Sequence, residues 1–349
     1  MHKRSLAVYT FAHFAVDFSC FFVLFSTVSA GIQSIQQLAF WFLGYNIIAF
    51  GLQFLIGYLC DTHRSFPAGI IGVIVTAVGL VFARQIYLAL VLVALGNAFF
   101  HVGGGLDSLL NAKGKMSRSG VFVSSGTWGV VLGTMAGRAE ISALVPLGFL
   151  FVSCVLIYLF CNTKINLSRS SFSIAKVKTA TAAAVALIFI SVAIRAHTGF
   201  SIPITWKTST FLVLLAALAS FAGKASGGFI ADKLGARLTG IGALFISAPL
   251  LAFFNDNIVL CFIGIMLFNM TMPVTLCALA QYLEGFEGLA FGLTTLALLS
   301  GTFVTYVSVL NPLYAKYVII VSIVMSAACI LLTTGSRKTQ GLKKEAKNA

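Results

Sequence analysis

The chain carries only five histidines and nine acids. Three of these residues and one asparagine form two pairs with the same spacing. His13 and Asp17 stand four apart in LAVYTFAHFAVDFSCFFVLF, and Asn97 and His101 stand four apart in VLVALGNAFFHVGGG. Both stretches are otherwise apolar. On a helix, a separation of four places two side chains on one face. Imidazole titrates near neutral pH, and the proton affinity of a carboxylate changes as water is withdrawn or a charge approaches. An acid and two imidazoles can therefore bind protons or a polar substrate; the plainer alternative is a hydrogen-bonded clamp between helices. Asp17 alone among the acids sits near the middle of an apolar run, and is the expected main proton carrier. His13 and His101 are expected to tune it or pass its proton on. Arg195 and His197 form a third polar spot, readable as an anion-binding charge or as an arginine reaching out to a membrane interface.

The elements that position these residues follow from composition. Hydrophobic residues make up 59% of the 349, charged residues 9%, and mean hydropathy is +1.01. Soluble domains carry roughly 25% charge, so this is a polytopic membrane protein. Runs of about 20 apolar residues span a bilayer and predict helices near 5–28, 37–60, 67–83, 86–106, 119–136, 141–161, 179–200, 209–230, 238–254, 258–282, 289–309 and 313–333. The N-terminal run is too long for a signal peptide and carries His13 and Asp17, so it is read as the first span. Residues 162–178, polar and Ser-rich, read as a cytoplasmic linker between six-helix halves at 1–161 and 179–334, with a basic tail over 335–349. Of the 23 Lys and Arg, seventeen fall on the side of the N-terminus, four on the other and two inside helices. That asymmetry places both termini in the cytoplasm. At about 1.5 Å per residue, His13 lies roughly 12 Å from the inner end of its helix and His101 roughly 8 Å, with Asp17 and Asn97 near the midplane. Lys224, in the eighth run, is expected to snorkel to the inner interface.

Two hairpins and a glycine series complete the pattern. GGFIADKLGAR contains Gly228, Asp232, Lys233, Gly235 and Arg237. A fainter copy, GYLCDTHR, contains Gly57, Asp61 and Arg64; the two acids are 171 residues apart. In the fifth run, Gly126, Gly129, Gly133 and Gly137 share one helical face, which lets another helix approach closely. Ser220, Gly223 and Gly227 form an answering stripe in the eighth. The seven cysteines are scattered with no CxxC, so neither a disulfide framework nor a metal site is expected. The +14 net charge follows membrane sidedness and implies no nucleic-acid partner.

Twelve helices as six plus six, with the Gly-x-x-x-Asp hairpin after helices 2 and 8, resemble the major facilitator superfamily. Gly120, Gly129, Gly133 and Gly137 resemble its antiporter motif, with Thr134 in place of a proline. Ala12–Phe18 and Leu95–Gly105 are similar to helices 1 and 4 of the fosmidomycin-resistance group of drug exporters. The resemblance implies an all-α membrane protein of two pseudo-symmetric six-helix bundles, with helices 1 and 4 lining a central cavity. It implies a proton-coupled secondary transporter, with export of a small organic compound the expected direction. An uptake symporter or facilitator of the same fold is the alternative; a membrane enzyme or sensor would need a catalytic cluster or a soluble domain that the sequence does not show. The expected protein is monomeric, cofactor-free and multi-pass in the plasma (inner) membrane. Its expected gating set is Asp61, Arg64, Asp232, Lys233 and Arg237, with Asp61 meeting the start of helix 11 near Gly288 and Asp232 the start of helix 5 near Ser119.

Overall fold

The computed structural model describes residues 2–63, 66–161, 179–307 and 314–335. The linker 162–178, Arg64 and the tail beyond Gly335 lie outside the described residues. Among the described residues there are twelve helical rods: α1 (Arg4–Gly31), α2 (Ile35–Thr62), α3 (Ala68–Val81), α4 (Ile86–Leu110), α5 (Ser117–Arg138), α6 (Leu144–Phe160), α7 (Thr179–Ser201), α8 (Thr210–Leu234), α9 (Ala236–Phe253), α10 (Ile258–Tyr282), α11 (Glu287–Val307) and α12 (Ala315–Thr333). Nine of them are long and apolar enough to cross a membrane. Of the rest, α3 and α6 are shorter apolar helices, and α5 is long but rich in Gly and Ser, which dilutes its hydropathy. Large apolar side chains stay on the outside, such as Phe151, Tyr158, Phe211 and Leu332. That is the lipid face a bilayer protein needs.

Each predicted run coincides with one rod, but three rods are not continuous α-helices. The last turns of α1 widen into a π-helical stretch over Leu24–Val28. In α2 the helix breaks at Leu52. There the Gln53 side-chain amide donates to the Ala49 carbonyl at 2.6 Å, the oxygen that the Gln53 backbone N–H would take in a regular helix. In α10 the break falls at Met270, next to the Asn269 carbonyl that Pro273, having no N–H, cannot bond.

Glycines set the closest approaches. A Cβ at Gly129 would fall 2.6 Å from the Phe14 carbonyl oxygen, and one at Gly133 would fall 2.8 Å from the Phe18 Cα. The glycine face of α5 therefore lies against α1, within its own half. The expected answering stripe on α8 faces elsewhere: Gly223 and Gly227 pack on Met266, Asn269 and Met270 of α10. Periodicity shows which face of a helix is small, not which neighbour it meets. Contacts between the halves run along two seams. Gly120 of α5 packs on the Lys224 carbonyl of α8, and Gly292 of α11 packs on Gln53 and Phe54 of α2.

Candidate functional site

The two polar pairs converge. His13, Asp17, Asn97 and His101 are all buried, on facing surfaces of α1 and α4. The Asp17 carboxylate is the hub. His13 Nε2 lies 3.3 Å from its Oδ2, His101 Nε2 lies 3.6 Å from its Oδ1, and Asn97 Nδ2 donates to Oδ1 at 3.0 Å. The rings stand edge to face, 4.5 Å between centroids, and Phe122 of α5 stacks on His13 at 4.6 Å.

The far nitrogen of each ring is held as well. His13 Nδ1 is 2.7 Å from the Phe122 carbonyl oxygen, and His101 Nδ1 is 2.9 Å from the Asn97 carbonyl oxygen. A carbonyl only accepts, so each Nδ1 carries the hydrogen and donates it. Each neutral ring then turns an Nε2 lone pair toward the carboxylate, lone pair against lone pair. A proton between His13 Nε2 and Asp17 Oδ2 would turn that 3.3 Å contact into a hydrogen bond, whereas His101 Nε2, at 3.6 Å, lies beyond hydrogen-bond reach of Oδ1. The three ligand atoms lie within 4.8 Å of one another. Ligands about 2.1 Å from one metal can be at most about 4.2 Å apart, so a metal would have to draw the trio together at its widest.

The glycine face of α5 and the polar cluster of α1 are in direct contact. The missing side chain at Gly126 leaves the space occupied by Asp17 Oδ2 and the His13 ring, and a Cβ there would lie 2.9 Å from His13 Cε1. A Cβ at Gly129 would lie 2.7 Å from that of Asp17. Both positions were legible as small; their proximity to Asp17 needed the α1–α5 pairing.

Of two intramembrane cations, Lys224 departs from its expected place and Arg195 takes the inward of its two readings. Lys224 does not snorkel: its Nζ donates to Thr127 Oγ1 of α5 at 2.9 Å, across the seam between the halves. Arg195 is buried and turns to α10, where Nη2 donates to Thr275 Oγ1 at 2.7 Å and Nη1 to Thr271 Oγ1. Two hydroxyls one turn apart on α10 can hold it there, a signal hydropathy does not carry. His197, two residues on, shares neither partner and its Nδ1 has no hydrogen-bond partner among the described residues.

The hairpin acids cap helix starts in the opposite half. Asp61 accepts from the Gly288 and Leu289 N–H groups at 2.9 and 2.7 Å. Asp232 accepts from Met116 at 2.6 Å and Ser117 at 3.3 Å, two to three residues before the expected Ser119, because α5 begins at Ser117. Backbone crowding allows both caps: a Cβ at Gly57 would lie 2.9 Å from Leu289 N, and one at Gly228 would lie 2.7 Å from the Met116 oxygen. Gly235 turns the chain between α8 and α9 at φ +92°, a region costly for residues with a Cβ. Lys233 is exposed and Arg237 half-buried beside this turn.

This architecture is the major facilitator fold. No family profile and no curated protein matches the sequence. Among solved structures, the chain is similar to a variant of the E. coli fucose:proton symporter FucP (TM-score 0.71, 12% identity, covering 95% of this chain and 97% of that one). It is similar also to the human organic anion transporter MFSD10 (0.66, 13%, 95% and 99%) and to a bacterial homologue of the iron transporter ferroportin in an outward-facing state (0.62, 14%, 95% and 98%).

Proposed function

We propose that the protein is a proton-coupled secondary transporter that exports a small organic compound by alternating access. The observation carrying this reading is the buried Asp17 carboxylate facing two imidazoles whose far nitrogens are already committed to backbone carbonyls. Such a group holds a proton in one environment and yields it when water or the opposing half approaches, the coupling a transporter of this fold requires. Asp17 is the proton carrier, with His13, His101 and Asn97 holding its carboxylate. The two bundles, 1–161 and 179–334, rock about this depth, joined by the linker.

The hairpins act as latches. With both termini in the cytoplasm of a plasma (inner) membrane, engaged Asp61 and Asp232 caps describe a conformation closed to the cytoplasm. Arg64, Lys233 and Arg237 belong to the same gate. Export is favoured by the glycine series of α5; the working unit is a monomer without cofactor. The test is direction and coupling. Cells producing the protein, screened against a panel of toxic compounds, are expected to hold at least one at lower internal concentration, and an uncoupler should abolish the difference. Uncoupler-insensitive efflux, or accumulation in its place, contradicts the proposal.

A further inference from the structure

We infer that Arg195 with Thr271 and Thr275 is a binding point for an oxyanion, so that the transported compound is a soluble organic anion bearing a carboxylate or phosphoryl group. This rests on the transporter reading above, and names the substrate class for it.

The guanidinium is buried, yet no carboxylate lies within ion-pair distance of it among the described residues. Among the described residues its hydrogen-bonded partners are two neutral hydroxyls, on Thr271 and Thr275. Both hydroxyls spend their own hydrogens on backbone carbonyls, Thr271 on Phe268 at 2.8 Å and Thr275 on Thr271 at 3.0 Å. Their oxygens are therefore fixed as acceptors, and they aim the guanidinium without neutralising it. Arginine has five N–H donors in a rigid fork. Two of the five go to the threonines, and Nε has no partner among the described residues, so donors remain for an oxyanion, the ligand arginine's fork suits best. An uncompensated charge inside a membrane protein is expensive and is usually retained for a ligand or pathway.

Position adds to the case. Thr271 starts the second segment of α10 (Thr271–Tyr282), just past the break at Met270, and the half that carries Arg195 also carries Lys224. The lone mid-helix acid, Asp17, belongs to the other half. An oxyanion on the C-terminal half and a proton on the N-terminal half would each occupy a site of suitable sign.

The purified full chain in detergent is titrated with benzoate and phenylphosphonate, with benzamide as the neutral control, following the unfolding temperature. Saturable stabilisation by either oxyanion and none by benzamide is expected, and the better oxyanion identifies carboxylate or phosphoryl chemistry. Arg195→Gln should weaken that binding about tenfold or more. If Arg195→Gln does not give monodisperse protein, Arg195→Lys keeps the charge but loses the fork, and a comparable weakening is expected. Unchanged affinity in the folded variant, equal stabilisation by benzamide, or no saturable response to either oxyanion overturns the inference. Phosphatidylglycerol that reproduces the shift and blocks benzoate identifies a lipid headgroup and overturns it too. Binding is read here in detergent with no proton gradient and no transport step, so failure of the proton-coupling proposal is read separately from failure of this one.

Discussion

On the proposed gating role, neutralising Asp232 should open the end of the protein at which it caps α5. Asp232→Asn removes the charge and one of two acceptor oxygens facing the Met116 and Ser117 N–H groups, now at 2.6 and 3.3 Å. A charge at a helix start is worth roughly 0.3–1 kcal/mol when exposed and up to about 2 when partly buried. The bond to Met116 is short and half-buried, so about 1–2 kcal/mol is expected. That moves the closed-to-open ratio about 5- to 30-fold. The Asp61 cap on Gly288 and Leu289 remains, so the single variant should shift the equilibrium without abolishing closure. Asp61→Asn combined with Asp232→Asn should shift it further. Ser119, fully buried on α5, serves as the reporter. Ser119→Cys should react faster with a membrane-impermeant maleimide, added from the latch side, in the Asp232→Asn background than in its absence, after subtracting reaction at the seven native cysteines. Labelling that does not change in either the single or the double latch variant would refute the gating argument.

Other consequences follow from α5. Gly129→Leu and Gly133→Leu should each cripple transport and lower thermal stability, because a large side chain must displace the α1 backbone at Phe14 or Phe18; overpacking of this kind costs roughly 1–3 kcal/mol. Melting curves with a transport assay check this, and full activity in both variants contradicts it. Gly126→Ala places a methyl group on Asp17 and His13 and should depress proton-driven transport while leaving the protein folded. Proton-driven transport at the parent rate would show that the close fit around Asp17 is not needed.

Nine rods were legible because each is an apolar run of spanning length, while α3 and α6 are shorter and Gly and Ser dilute α5; 1.5 Å per residue sufficed to bring Asp17, Asn97 and His101 to similar depths. The helix starts that Asp61 and Asp232 cap were expected from the resemblance to the major facilitator superfamily; charge and spacing alone name no partner across the two halves. The kinks were less legible: Pro273 signals the break in α10 through its missing N–H, but the α2 break depends on a Gln53 rotamer that no periodicity reports. The partner of the α5 glycine face was not legible either, since spacing fixes a face and tertiary packing picks its neighbour. The same limit applies to Arg195 and Lys224. Their depth allowed snorkelling, and only the threonines on α10 and α5 show that the structure directs both side chains into the protein.

The most direct test of the central claim is Asp17→Asn in proteoliposomes, comparing transport driven by an imposed proton gradient with gradient-free exchange of the same compound. The account predicts that gradient-driven accumulation disappears while exchange survives, because the amide keeps the shape of the carboxylate but cannot carry its proton. Loss of both activities would assign Asp17 to substrate binding or folding. Accumulation against a gradient at the parent rate would contradict the account and leave the His13–Asp17–His101 cluster as a clamp between α1 and α4.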